Sequence, residues 1–569
     1  MTIRTMPDSP AAFAEATWDD ILPYYEELAG RPLDRNDQAG IEAWLRDWST
    51  LDTLLTEAGT LARIAYSIDT ADPAKEAASR RWSAEIGPKA QEQRVRLQRR
   101  LVDLGYERED LRTLLRRFRN QIDLFREENT PLQAELAGLN IAYQKITGGM
   151  TAEWDGEQKP LPQLLPFLLS PDRATRERAF RLRAQPYIAA RDELAGIFDR
   201  QYALRQELAR NAGFANYRDF VHQEKNRFDY TPADAERFHE AVERTVVPAI
   251  ERIHERRRQR MGLDTLRPWD TGPDPQGRPP LKPYDGVDEL IGRAKAIFEH
   301  VDPTLGGYYR TMAEERLLDL DSRKGKAPGG YCATLPHRKR PFIFMNAAGV
   351  PGDVRTLLHE AGHAFHSFES SRLPLLWQRH PGSEMAEVAS MAMELLSSPY
   401  LEREAGGYYA PDDARRARIE HLEGILIFFP HCASVDAFQH WIYTSGDGGD
   451  RDARDEAWLR LRERFERGLD WSGLRAERVA RWYQQLHIFL YPFYYIEYGI
   501  AQLGALQVWR NALRDQGRAV TDYREALALG ATRPLPDLFA AAGARLVFDA
   551  EGMGELVALV EEQLAALEG

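Results

Sequence analysis

Five residues, His359-Glu360-Ala361-Gly362-His363, limit what this 569-residue chain can fold into more than any other stretch. In an α-helix, residues four apart stand one above the other on one face, so both imidazoles can reach a single ion about 2.0–2.1 Å from each nitrogen. A strand or an open loop would not hold them so. The segment therefore predicts a helix, and a rigidly packed one: Val354, Leu358, Ala361, Phe365 and Phe368 recur at spacings of four and three and supply a buried stripe. Glu360 follows the first histidine, where a carboxylate can touch a water at the ion without binding the ion, the position of a general base. Chance gives about 0.05 such matches in a chain of this composition. His239-Glu240 repeats the pair but has Glu243 where a second histidine would stand, and is expected to be plain helix surface.

A catalytic zinc takes three protein ligands and leaves one position open. The extended metalloprotease pattern, with Gly three and His six residues beyond the second histidine, is absent, because His366 and Glu369 occupy those places. Ser383 to Leu396 offers another source. Glu384, Glu387 and Glu394 fall on one face of a predicted helix whose remaining surface is apolar at Met385, Val388, Met391 and Leu395. Such a helix can give one ligand and further carboxylates that orient the histidines; the plain alternative, a solvated face, suits the apolar flank less well. His366, on the ligand face of the first helix, is read as an outer contact or a packed ring.

The composition describes what surrounds these helices. Acidic residues number 88 against 75 basic, a net charge of -13, which excludes general nucleic-acid binding. The arginine-rich stretches Arg94 to Arg119 and Arg256 to Arg260 are interleaved with acids and read as helix surface. No apolar run reaches the ~20 residues that cross a bilayer, the first twenty residues lack a secretory pattern, and two cysteines, Cys332 and Cys432, read as buried thiols in a reducing compartment. A soluble, cytoplasmic protein is expected. Helical periodicity runs from Gln38 to Asn129; Asp72-Pro73 and Ser170-Pro171 each predict a helix start. Six prolines between Pro268 and Pro283 predict a loop. The convincing strand signals are Tyr331 to Leu335 and Pro341 to Met345, joined by the turn His337 to Lys339. The expected fold class is mostly α, with a small β-sheet beside the H-E-x-x-H helix.

The run HEAGHAFHSFESS followed by SEMAEVASMAMELL resembles the oligoendopeptidase F family, with its Pz-peptidase branch, and more distantly thimet oligopeptidase and neurolysin. SPDRATRERA at Ser170 to Ala179, RQELARNAGFANYRDF at Arg205 to Phe220, PGGYCA at Pro328 to Ala333 and HIFLYPFYYIEYG at His487 to Gly499 extend the likeness over most of the chain. The resemblance implies that Glu387 is the third zinc ligand, beside His359 and His363, with one Zn2+ per chain, and that Glu384 and Glu394 support the ligands from outside. It implies a bilobed helical zinc-peptidase fold enclosing a deep channel. The expected lobes are residues 1–200 and a catalytic lobe, 201–569, with the sheet near 330–346 and the zinc site at 359–394. The expected activity is endopeptidase cleavage of short unstructured oligopeptides. A catalytically inactive peptide-binding protein is the alternative, against which an intact Glu360 speaks.

In the tyrosine-rich segment, His487, Tyr491, Tyr494, Tyr495 and Tyr498 recur at steps of three and four, and Pro492 predicts a helix start. Spacing alone favours an aromatic core stripe. The family pattern instead implies that His487 and Tyr498 donate to substrate or to the oxyanion formed in peptide cleavage. Among the others, thimet-like spacing points to Tyr491 and Tyr495, the oligoendopeptidase F pattern to Tyr494. Gly329-Gly330-Tyr331 could admit a substrate backbone against a strand edge; an ordinary glycine turn weighs equally, and the resemblance favours substrate.

Overall fold

The structure, a computed structural model, describes residues 5–568. Helices make up most of it, with two small sheets. The chain forms two compact units, each from separated stretches: Met1–Asp123, Lys282–Ala417 and Gly504–Leu546 in the first, Leu124–Leu281, Arg418–Leu503 and Val547–Gly569 in the second. A cut after residue 200 falls inside the helix Arg191–Asn211 of the second unit. The units interleave because long helices such as Pro411–Thr444 run uninterrupted from residues of one unit into residues of the other. No helix among the described residues is long and apolar enough to cross a membrane.

In the first unit, strands β3 (Leu318–Asp321), β4 (Tyr331–Leu335) and β5 (Arg340–Ala347) form a sheet in the order β3-β5-β4. The β4–β5 hairpin matches the sequence expectation, with Tyr331 opposite Phe344 and Leu335 opposite Arg340. β3 joins parallel to β5, a pairing that no local turn signal announces. The hairpin turn is held from outside: the buried carboxylate of Glu57, on the helix Gln38–Ile68, accepts the backbone N–H groups of His337 and Arg338 at 2.7 and 3.0 Å. That helix is anchored in turn by an apolar cluster that includes Trp44, Trp48, Leu51 and Phe118, with Trp377 against Trp48.

β5 leads directly into the motif helix, Pro351–Ser370. Pro351 stands at its first position, where a missing N–H costs nothing. Asp353 binds the approach: its Oδ2 accepts the N–H of Ala348 and of Val350, both at 2.9 Å, and the Tyr284 hydroxyl. The predicted stripe Val354, Leu358, Ala361, Phe365 and Phe368 is buried. Across it lies the carboxylate helix, Ser383–Ser397, whose Met385, Val388, Met391 and Leu395 are buried as expected. The two helices touch backbone to backbone. A methyl group at Gly362 would lie 2.4 Å from the Ala389 carbonyl oxygen and 2.6 Å from Ser390 Cα.

The second unit holds three departures from expectation. β1 (Thr151–Trp154) and β2 (Glu157–Pro160) form a hairpin around Asp155-Gly156, both residues at positive φ, a turn signal that short flanking strands obscured. The helix expected at Ser170-Pro171 begins at Arg173, because the Asp172 carboxylate caps the Thr175 N–H at 2.9 Å while Ser170 ends the preceding 3-10 segment. His239 is not surface: it is buried, with Nε2 2.8 Å from Asp436 Oδ2, a partner nearly two hundred residues away.

Close helix contact makes Gly362 a sensitive position. Replacing Gly362 by Ala should cost stability near the upper end of the about 1–3 kcal/mol of an overpacked core, outweighing the ~1 kcal/mol that Ala gains in helix propensity. Thermal denaturation should show a lowered midpoint; an unchanged midpoint would contradict the contact.

Candidate active site

His359 and His363 leave the motif helix on one face, their ring centroids 5.0 Å apart. From the carboxylate helix, Glu387 Oε2 stands 3.4 Å from His359 Nε2 and 3.6 Å from His363 Nε2. Ligands of a tetrahedral ion, each about 2.0–2.1 Å from it, lie about 3.3 Å from one another, so these three atoms fit one shared divalent cation. Among the described residues they form the only group of three or more His, Cys, Asp or Glu ligand atoms within 4.8 Å of one another.

The other ring nitrogens are occupied in the way a metal site needs. His359 Nδ1 lies 2.7 Å from Glu394 Oε1, leaving Nε2 to face Glu387. His363 is hydrogen-bonded to the Ala386 backbone, and the Ser390 hydroxyl donates to Glu387 Oε2 at 3.0 Å. Burial opposes charge on His359, yet the hydrogen bonds to Glu387 and Glu394 outweigh it and raise its pKa well above the ordinary value. The field that favours a proton there favours a cation against the same ring. Burial takes His363 down to about 4, so it is neutral at pH 7. Burial also opposes ionisation of Glu387, but His363, which is charged in the acid range where Glu387 titrates, and the hydrogen bond to His359 bring it down to about 2.

Glu360 is not one of those three ligand groups. It is buried, its pKa is pushed up to about 7, first by burial and then by the charge of Glu387, and its carboxylate accepts the backbone N–H of Cys332 on β4. The edge strand therefore braces the residue that the motif marks as base. The Cys332 thiol, raised by burial and by Glu360, stays protonated.

Glu384 is buried in the first turn of its helix, and its carboxylate folds back over Gly382, where an added methyl group would lie 2.6 Å from Oε2. His366 is a buried neutral ring, its pKa lowered to about 3 by burial and by the nearby His363 and His380. Gly329, at φ +97°, and Gly330 form an exposed turn leading into β4, held by the Asn346 side-chain amide, which donates to Ala327 and Gly329 carbonyls at 2.8 and 2.9 Å. The Tyr331 ring is stacked 4.9 Å from Phe344 and covered by the Arg63 guanidinium 5.1 Å away. Packing fixes that ring, while the glycine turn before it is exposed.

The tyrosine-rich segment belongs to the second unit. Pro492 does not begin a helix: a short helix, Leu486–Leu490, is followed by a break, and the next helix starts at Tyr495. The buried Phe493 sits at φ +58°, a conformation costly for a bulky residue. Tertiary hydrogen bonds impose it. The Phe493 N–H donates to Gln439 Oε1 at 2.8 Å and its carbonyl accepts from the buried Arg227, which also pairs with Glu497 at 2.7 Å. The break gathers the rings of Tyr491, Tyr494, Tyr495 and Tyr498 around His487, with centroids 4.8–6.0 Å from it. Tyr495 is buried and its hydroxyl accepts from Gln485 at 2.7 Å. His487, Tyr494 and Tyr498 are partly open, and Tyr491 is 55% exposed. Sequence reasoning passed over Gln485, Gln439 and Arg227, since their roles depend on partners far apart in the chain.

The model described as Peptidase family M3 matches residues 167–277 and 305–556, and that of the Peptidase M3 N-terminal domain matches residues 9–125. Oligopeptidase PepF of Bacillus subtilis (strain 168) is 24% identical over 340 residues, covering 57% of this chain and 47% of that protein. The chain thus spans about half the length of the curated relatives it matches. A solved structure carrying a provisional oligoendopeptidase F assignment superposes with a TM-score of 0.88 at 28% identity, covering 97% of each chain. Pz peptidase A with an inhibitor gives 0.87 at 26% identity, over 99% of this chain and 98% of that one.

Outer carboxylates that orient ligand histidines carry much of a metal's affinity. Glu394→Ala should weaken divalent-metal binding about 10- to 100-fold, read by competition with a chromogenic chelator; unchanged affinity would separate Glu394 from the site.

Proposed function

The chain belongs to peptidase family M3, and from that premise we propose that it is a zinc-dependent endopeptidase that hydrolyses internal bonds of short, unstructured oligopeptides. The observation that carries the reading is the division of labour on one helix. His359 and His363 converge with Glu387 at ion spacing, while Glu360, one residue from His359, stays outside that group and accepts the Cys332 N–H. Two histidines and one carboxylate are a donor set that suits zinc. A peptide carrier without activity has no use for that separated carboxylate.

His359, His363 and Glu387 hold the ion, one per chain. When bound, zinc supplies Lewis-acid chemistry, acidifying a water and polarising the scissile carbonyl. Glu360 accepts the proton of the attacking water and returns it to the nitrogen of the leaving amine. Its burial, with the raised pKa that follows, suits a group that must both take and give a proton near neutrality. The Cys332 N–H holds the carboxylate in place from behind. His487 and Tyr498 are assigned as neutral hydrogen-bond donors to the substrate, on the resemblance of their segment and the partial openness of both side chains. Tyr494, also partly open, stands nearer that role than the buried Tyr495, and the exposed Tyr491 and the Gly329-Gly330-Tyr331 turn are assigned to peptide contact. The names of the relatives, oligopeptidase and oligoendopeptidase, support short peptides as the substrate class.

Glu360→Gln should retain the metal and lower kcat by at least the about 10²–10⁴-fold attributed to general base catalysis; full activity on a quenched fluorescent peptide would sink the mechanism. Chelation should abolish cleavage and zinc should restore it. The pH profile has a definite sign. Glu360 works ionised, so kcat/KM should fall as pH drops through its pKa, at or below about 7 because a bound cation favours the carboxylate. This acid limb should be absent from the residual rate of Glu360→Gln.

A further inference from the structure

His487 is the one donor in the proposed substrate-contacting group whose hydrogen can sit on either of two atoms, since a neutral imidazole donates from only one nitrogen. A chain of hydrogen bonds behind it determines which. It begins at Arg462, buried and bound through its Nε and Nη2 to the two carboxylate oxygens of Glu466. An arginine can only donate. Its Nη1 lies 3.4 Å from His431 Nδ1, so that nitrogen is an acceptor. Burial, followed by the charges of Arg462 and Arg481, lowers the His431 pKa to about 3 and keeps the ring neutral. His431 therefore carries its hydrogen on Nε2, which donates to Gln485 Oε1 at 3.1 Å. The amide is thereby oriented, since the flipped form would set two donors face to face. Gln485 Nε2 then offers its two hydrogens forward, one to the Tyr495 hydroxyl at 2.7 Å and one to His487 Nδ1 at 3.4 Å.

Each link passes the same polarity to the next, and all of these residues lie within one compact unit. We propose that Gln485 is a positioning residue that holds His487 in the tautomer protonated on Nε2, making it a neutral donor to the peptide substrate. The buried Tyr495 serves as the second anchor of the amide rather than as a substrate contact. The proposal rests on the assignment of His487 to substrate, and the tautomer itself can be measured without substrate or metal.

The test uses the full-length, metal-free protein labelled with 15N-histidine, with long-range proton–nitrogen correlation of the imidazoles and His487→Gln to identify the His487 signals. The wild type should show an unprotonated Nδ1 and a protonated Nε2 on His487. Gln485→Glu, nearly isosteric but able only to accept, should move a proton onto Nδ1. In the zinc-loaded protein, Gln485→Glu should lose roughly tenfold to a hundredfold in kcat, with KM changed by less than about threefold, and Gln485→Met, which neither donates nor accepts at the amide positions, should fall between it and the wild type. A wild-type His487 protonated on Nδ1, or wild-type kcat in both variants, overturns the proposal. Should Gln485→Glu fail to fold, the wild-type tautomer and Gln485→Met decide. A wild type that cleaves no peptide would remove the assigned function, while the tautomer pattern would still support or overturn the relay.

Discussion

The close approach of two helices at Gly362 is the contact on which the candidate site depends. With no side chain there, the backbone of Ala389 and Ser390 comes within reach of the motif helix, and Glu387, two residues before Ala389, is carried to within 3.4–3.6 Å of both histidine nitrogens. An extra methyl group would push the carboxylate helix outward, because separations of 2.4 and 2.6 Å lie far inside van der Waals contact. Helix-on-helix packing at ordinary interaxial distances of 8–10 Å leaves room for side chains between the backbones; this pair uses that room for the coordination geometry instead.

Everything near that contact serves to keep it rigid. The Asp353 carboxylate binds the turn from β5, Glu57 pins the hairpin from a helix almost three hundred residues earlier, and the Cys332 N–H braces Glu360. Sites that transfer protons and hold ions need their groups fixed by surrounding structure to a fraction of an ångström. The acidic groups around His359 also tune the local field toward a cation, so that packing and electrostatics favour the same occupant.

How far the site could be read in advance varied with the range of the interactions involved. Local periodicity was enough for the motif helix, the carboxylate helix and the β4–β5 hairpin, because their apolar stripes and turn residues lie within one or two turns of each other. It failed at Phe493, where bonds to Gln439 and Arg227 impose a positive φ that no local rule favours, and at His239, whose partner Asp436 is far along the chain. Strand β3 was illegible for the same reason: four residues gain strand character only by pairing in parallel with β5. The division of the chain was hidden as well, since long continuous helices connect the interleaved units.

By itself, the amino-acid sequence laid out the chemistry: two histidines and a glutamate at helical spacing, and a second helix with carboxylates on one face. These follow from side-chain identity and the 3.6-residue period, which are local properties. Tertiary structure alone decided which carboxylate stands at ion distance from both imidazoles and which is hydrogen-bonded to His359. It likewise separated the buried Tyr495 from its partly open neighbours and joined Gln485 to His487. Distances between helices are set by packing of residues remote in the chain, and coordination and proton placement depend on those distances to within a few tenths of an ångström.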